Sequence, residues 1–197
     1  KAAGLKGRQL VLASMIESMD DSLGQVMEYL QRRKLVDDTI LIFMSDNGSA
    51  PGNPINRPLR GNKLTPYEGG IRVPMMVRWP GVTQAGVREA TPVHIDDFLP
   101  TILDMAGVAL DPADGPVDGV SIVPLCRGED GDVPERVLFW HFPHTYFNPP
   151  YSAVRKGDWK LIYHHVDQRQ ELFHLGRDLG ERKNRAETEP VKRAELA

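Results

Sequence analysis

The chain has 197 residues, 41% hydrophobic and 26% charged, with 27 acidic against 24 basic side chains and a formal net charge of −3. So small a net charge gives no electrostatic reason to expect nucleic acid or an anionic membrane as partner. No apolar run approaches the roughly 18 residues of a membrane span, and the single Cys126 rules out an internal disulfide.

The length predicts one domain or two small ones. The start, Lys1-Ala2-Ala3-Gly4-Leu5-Lys6-Gly7-Arg8, has no initiator Met and no apolar signal-peptide core. It opens just ahead of a long helical pattern, as expected of a piece cut from a longer protein. Leu12, Ile16, Met19, Leu23, Val26 and Leu30 step by four and three residues and predict one amphipathic helix. Gly24, four residues after Asp20, predicts close approach of a neighbouring backbone. Thr39-Ile40-Leu41-Ile42-Phe43-Met44 is apolar on both faces and predicts a buried strand, as in a parallel sheet. Residues 48–66 carry four prolines and three glycines, so they predict an irregular loop of functional length. Ile71 to Trp79 predicts a strand interrupted by Pro74 and closed at Pro80-Gly81. Asp96 to Ala106 predicts a helix with Pro100 in its first turn and Gly107 as its stop.

Asp111 to Gly119 is the candidate linker. Beyond it, Val137–Trp140, Ser152–Arg155, Trp159–Tyr163 and Glu171–Leu175 predict a small antiparallel sheet with a tight turn at Lys156-Gly157-Asp158. The mixed-charge tail from Gly176 predicts a solvated helix or frayed end.

The residues with chemistry cluster after the first strand. Asp46 and Asn47 put a carboxylate and an amide oxygen where α/β proteins gather ligands. That donor pair suits Ca²⁺ or Mg²⁺ and poorly suits Zn²⁺. Asn47-Gly48 alone is also a turn signal; the cations that follow favour the ligand-holding reading. Lys63 can bind a tetrahedral anion as a point charge, and Arg60 can fork onto two oxygens. Glu68 and Arg72 can pair across a turn whose glycines permit close backbone approach. His94 beside Asp96 and Asp97 is read as local rather than as a metal cluster. In Phe139-Trp140-His141-Phe142-Pro143-His144-Thr145-Tyr146-Phe147, rings interleave with polar donors. His141 and His144 there suit a sugar-binding rim or, equally, a packed strand end. His164, His165 and His174 read as surface residues.

Ser45-Asp46-Asn47-Gly48, Gly61-Asn62-Lys63 and Tyr67-Glu68-Gly69-Gly70-Ile71-Arg72-Val73-Pro74 together resemble the sulfatases of the alkaline phosphatase superfamily. The likeness continues through Arg78-Trp79-Pro80-Gly81, Asp97-Phe98-Leu99-Pro100-Thr101, Asp118-Gly119-Val120-Ser121 and Val154-Arg155-Lys156-Gly157-Asp158-Trp159. It implies an α/β fold: residues 1–110 would be the C-terminal part of the large sulfatase domain. Residues 111–197 would be a small α+β subdomain with an antiparallel sheet. It implies Asp46 and Asn47 as calcium ligands and Lys63 as the catalytic, sulfate-binding lysine. Arg60, His141 and His144 are the further candidates for substrate binding. The expected substrate is a sulfate ester, with a sulfated glycan as one class, and the family is compatible with a periplasmic or secreted location.

Family catalysis uses a formylglycine made from Cys or Ser in a Cys/Ser-x-Pro-x-Arg motif. Cys126, followed by Arg127-Gly128-Glu129, does not match and reads as a structural thiol; Ser49-Ala50-Pro51-Gly52-Asn53 lacks the Arg. The formylglycine, a further Asp pair, a lysine and histidines are therefore expected in an N-terminal part ahead of residue 1, and the chain alone is expected to be inactive. Two other readings stay open: a phosphate or phosphonate monoester hydrolase of the same superfamily, and a non-catalytic binding or assembly module.

Overall fold

A computed structural model describes residues 4–51, 56–111, 113, 115–129, 133–146 and 148–197. Gly52 and Asn53 of the proline-containing loop and Phe147 of the aromatic stretch lie outside the described residues. Two compact units form, Lys1–Phe43 with Met76–Thr83, and Met44–Met75 with Gln84–Ala197.

In the first unit, α1 (Arg8–Arg32) follows the predicted apolar stripe and runs a turn past it at the N-terminus. None of its residues is buried; Ile16, Met19 and Val26 are exposed, while Leu12, Leu23 and Leu30 are half-covered. Space around Gly24 is open, so its expected backbone neighbour is not among the described residues. β1 (Leu41–Met44) pairs with β2 (Met75–Arg78) in a two-stranded sheet. Every β1 residue is half-buried rather than enclosed. The predicted strand at Ile71 begins only after Pro74, because a proline removes a ladder donor and restrains the residue before it. Ile71 instead ends a one-turn helix, α2 (Glu68–Ile71).

The second unit is built on a four-stranded antiparallel sheet in sequential order: β3 (Val137–Phe142), β4 (Tyr151–Lys156), β5 (Trp159–His164) and β6 (Gln170–His174). Trp140, Ala153, Ile162 and Glu171 are register partners on one face. Since neighbours along a strand point oppositely, Lys160 and Phe173 share that face. Ala153, Ile162, Phe173 and Leu175 form its core, with Tyr67 and Trp140 against them. On the other face Leu161, Leu172 and Ala186 pack with Val154, Trp159 and Leu196, the last from α5 (Pro190–Leu196).

Beside the sheet, a 3₁₀ turn (Ile95–Asp97) leads into α3 (Phe98–Met105), and α4 (Val123–Arg127) follows the linker. Asp97 joins these pieces. Fully buried, it accepts from the backbone N–H groups of His94 (2.7 Å) and Val120 (3.1 Å) and takes both terminal nitrogens of Arg136. His94 pairs with Asp96 at 2.7 Å and meets Trp140 edge-on, so the three residues do not converge on a metal.

Burial alone would raise the Asp97 carboxyl, but Arg136 and the two backbone donors outweigh it and hold the group below its ordinary value of 3.8. A depressed carboxylate contributes stability that is complete above that value and is lost as pH falls through the folded one. Asp97→Ala should cost about 3–5 kcal/mol at neutral pH by leaving Arg136 without its anion. Urea unfolding across pH 2–7 checks this: the variant should lose stability at neutral pH and show a flatter decline below pH 4.

Candidate functional site

Asp46 and Asn47 follow β1 directly. Asn47 Nδ2 donates to Asp46 Oδ2 at 2.6 Å, and Ser45 Oγ donates to the Asn47 carbonyl at 2.9 Å. The pair offers the carboxylate of exposed Asp46 and the amide oxygen of half-buried Asn47, all hard donors. That set fits part of the roughly six to eight oxygens a calcium ion takes. Among the described residues no three His, Cys, Asp or Glu side chains converge on a metal position.

The backbone after Asn47 is held by contact with α2. Gly48 donates to the Gly70 carbonyl at 3.0 Å, and a Cβ on Gly48 would overlap the Gly69 carbonyl oxygen. Gly69 in turn donates to the Arg60 carbonyl at 2.7 Å, and a Cβ there would overlap the carbonyl oxygens of Arg60 and Gly61. Only residues without a side chain allow three backbone segments to approach this closely.

Lys63 sits exposed in a loop closed upon itself. Its backbone N–H donates to the Ser49 carbonyl at 2.9 Å, which ties the loop to the segment after Asp46 and Asn47. Thr65 N–H and Oγ1 both donate to the Asn62 carbonyl, and Asn62 N–H donates back to Thr65 Oγ1 at 3.1 Å. At the loop's base, Arg60 Nη2 donates to Tyr67 Oη at 3.0 Å while its guanidinium lies 3.8 Å from the Tyr67 ring centre.

Arg60 therefore does not stand free beside Lys63. Its other terminal nitrogen donates to Glu171 Oε1 (3.3 Å) and to the Glu181 carbonyl (3.1 Å). Glu171, on β6, also accepts from Tyr67 Oη (2.6 Å) and His164 Nε2 (2.8 Å) and pairs with Arg169 (2.8 Å). Burial would raise this carboxyl, but the bonds from Tyr67 and His164 and the charges of Arg60 and Arg169 hold it below the ordinary range. Burial, reinforced by the Glu171 anion, pushes the Tyr67 hydroxyl up to about 12, so it remains a donor at any physiological pH.

A second polar cluster anchors α2 from beneath. Lys160 on β5 is fully buried and donates to Glu68 Oε1 (3.0 Å) and Glu181 Oε1 (2.9 Å). Glu181 Oε2 accepts the Glu68 backbone N–H at 2.7 Å. Burial raises the Glu181 carboxyl above its ordinary value although Lys160 opposes the shift. Arg72 lies 3.6 Å from Glu68 Oε2, as the sequence spacing predicts. Glu171, Lys160 and Glu181 were not singled out by the sequence, and His164, read there as a surface residue, is instead largely covered and bonded to Glu171. The available signal was charged residues inside apolar strands, as in Trp159-Lys160-Leu161-Ile162.

His141, Ser152 and Tyr163 are register partners on the sheet face opposite Glu171. His141 Nδ1 bonds Ser152 Oγ at 2.8 Å, which also bonds His165 Nε2 at 2.9 Å. The structure thus ties the backbone of Lys63 to the segment just after Asp46 and Asn47, while Arg60 is engaged at the loop base and His141 lies on the opposite sheet face. His144 lies beyond β3 against Phe142, in a connection that reaches the Lys63 loop where Asn148 Nδ2 donates to the Leu64 carbonyl at 3.1 Å.

Comparison with known proteins gives a consistent match. The Sulfatase family model matches residues 11–108, and the model for N-sulphoglucosamine sulphohydrolase, C-terminal, matches residues 62–195. A protein named sulfatase from Formosa agariphila is 37% identical over 190 residues, covering 87% of this chain and 34% of the relative. Ps i-CgsB, solved in complex with k-i-k-neocarrahexaose, superposes with a TM-score of 0.86 at 26% identity, over 98% of this chain and 43% of that one. BT4656, solved with its substrate D-glucosamine-2-N,6-O-disulfate, superposes with a TM-score of 0.79 at 25% identity, over 98% and 41%. The chain spans about a third of the length of the curated relatives it matches.

The three-segment contact around Gly69 has a direct test. Gly69→Ala should destabilise the protein by about 3 kcal/mol, the upper end for overpacking, because the methyl meets backbone carbonyls that cannot turn aside. Chemical unfolding monitored by Trp fluorescence reads the loss; an unchanged midpoint would show the contact to be loose.

Proposed function

The chain belongs to the sulfatase family, and on that premise we propose that the enzyme carrying it hydrolyses sulfate esters to an alcohol and inorganic sulfate. The observation that carries this reading is the bond from Lys63 N–H to the Ser49 carbonyl. It couples an exposed ammonium at the tip of a closed loop to the segment that bears Asp46 and Asn47. Lys63 then donates to an oxygen of the sulfuryl group as a point charge, offsetting the charge that grows during transfer. Asp46 and Asn47 would hold a calcium ion through their side-chain oxygens. Such an ion supplies further neutralisation at the sulfate oxygens.

A sulfated carbohydrate is the substrate class we favour. The likeness to BT4656, whose substrate is a disulfated glucosamine, supports it. So does the connection carrying His144 and Tyr146, an imidazole and a ring in a segment that Asn148 fastens to the Lys63 loop at the Leu64 carbonyl. His141, on the opposite sheet face, has no part in this reading.

Lys63→Ala in the active enzyme should lower kcat/KM for an aryl sulfate by about 100- to 1,000-fold, the range for loss of one charge-stabilising donor. Its melting temperature should stay near that of the parent, because the side chain is exposed. Asp46→Ala should abolish bound calcium, read by elemental analysis, together with turnover. Unchanged rate and metal content in these variants would sink the reading. Turnover of the matching aryl phosphate at an equal rate would move it to a phosphoric ester.

A further inference from the structure

Arg60 carries the charge expected of a second anion ligand, yet its nitrogens are engaged by Glu171, Tyr67 and the Glu181 carbonyl. It lies stacked on one ring, that of Tyr67, and 5.7 Å from the centre of another, that of Phe173. Its place is the base of the loop, opposite the tip that bears Lys63. Residues 60 and 67 are the two stems of that loop, and one carboxylate, Glu171, bonds both of them. Glu171 is itself fixed in the sheet, buried on β6 and bonded by His164 and Arg169. Within the loop, Gly61 has a left-handed backbone (φ +75°), and a Cβ there would overlap Thr65 Oγ1. The segments between stem and tip therefore have little room to adjust on their own.

We propose that Glu171 is the positioning residue for Lys63: by gripping Arg60 and Tyr67 together it sets where the ammonium stands relative to Asp46 and Asn47. This rests on the reading of Lys63 as the sulfate-binding lysine. Glu171 touches neither substrate nor metal and acts through the loop. The carboxylate is matched to the task. It offers enough lone pairs for two stem donors and two sheet donors at once, and its charge makes those bonds stronger than neutral ones. A glutamine at that position keeps the shape, loses the charge, and brings an amide N–H group that faces donors.

The test is a double-mutant cycle in the active enzyme, reading kcat/KM for an aryl sulfate, the inhibition constant of inorganic sulfate, and the melting temperature. Glu171→Gln should lower kcat/KM by about 10- to 100-fold, as small displacements of a binding group do, and weaken sulfate inhibition in proportion. In the Lys63→Ala background the same change should have no further effect on either quantity. Tyr67→Phe, which removes one hydroxyl and little else, should act in the same direction by about threefold, and likewise vanish without Lys63. It keeps the test decisive if Glu171→Gln does not fold. Effects that multiply with Lys63→Ala, or a lowered melting temperature with sulfate inhibition unchanged, would overturn the proposal while leaving the role of Lys63 intact. If Lys63→Ala itself alters neither rate nor sulfate inhibition, the reading and the proposal fall together.

Discussion

Lys160 is a cationic side chain with no solvent exposure, and the larger unit is organised around neutralising it. An unpaired ammonium in that position would be strongly disfavoured, since desolvation of a charge is tolerated only with partners at hydrogen-bond distance. Glu68 and Glu181 meet that need from two separate segments, and the Glu68 N–H bond to Glu181 locks those segments to each other. Satisfying one buried charge thus fixes the turn Glu68-Gly69-Gly70, the connection after β6, and the middle of β5 in a single arrangement. Arg155 and Arg72, at 4.0 and 3.6 Å from Glu68 Oε2, balance the second negative charge.

From that anchor the constraint runs outward through backbone rather than through side chains. α2 is held on the sheet by Lys160; Gly69 and Gly70 press on Arg60, Gly61 and Gly48; Gly48 is one residue from Asn47. Backbone against backbone has no rotamers to relax, so position is transmitted with little loss. A parallel route runs from Glu171 through the loop stems. The candidate site therefore stands on two polar clusters that share one sheet face, and both clusters draw on Glu181, by its side chain in one and its carbonyl in the other.

Much of this was legible in the sequence. β3 and β4 approach a two-residue alternation, a glycine turn separates β4 from β5, and α1 follows its apolar stripe, because local period is written in adjacent residues. α4 was not legible: Val123-Pro124-Leu125-Cys126-Arg127 is too short for a helical period, and its proline reads as a break although the first turn tolerates one. The nearness of Asp46, Asn47 and Lys63 could be expected from the spacing of motifs. What holds them there could not. Glu68 and Lys160 are 92 residues apart, and Glu171 and Tyr67 are 104 apart. A lone charge in a sequence is by default a solvated one. Nor does alternation say which sheet face receives the loop, which is why His141 was a candidate and Glu171 was not, although it is Glu171 that lies on the loop's face.

The closed loop around Lys63 carries a thermodynamic corollary. Its stems, its internal Asn62–Thr65 bonds and its tie to Ser49 are all made between groups of the chain itself. On the proposed role of Lys63, an anion bound at the tip would leave those bonds in place, so the entropy of folding a segment around the ligand would not enter the binding free energy. Such a site captures its ligand by electrostatic attraction and releases it without unfolding. Its association therefore carries a small heat-capacity change and a strong dependence on ionic strength.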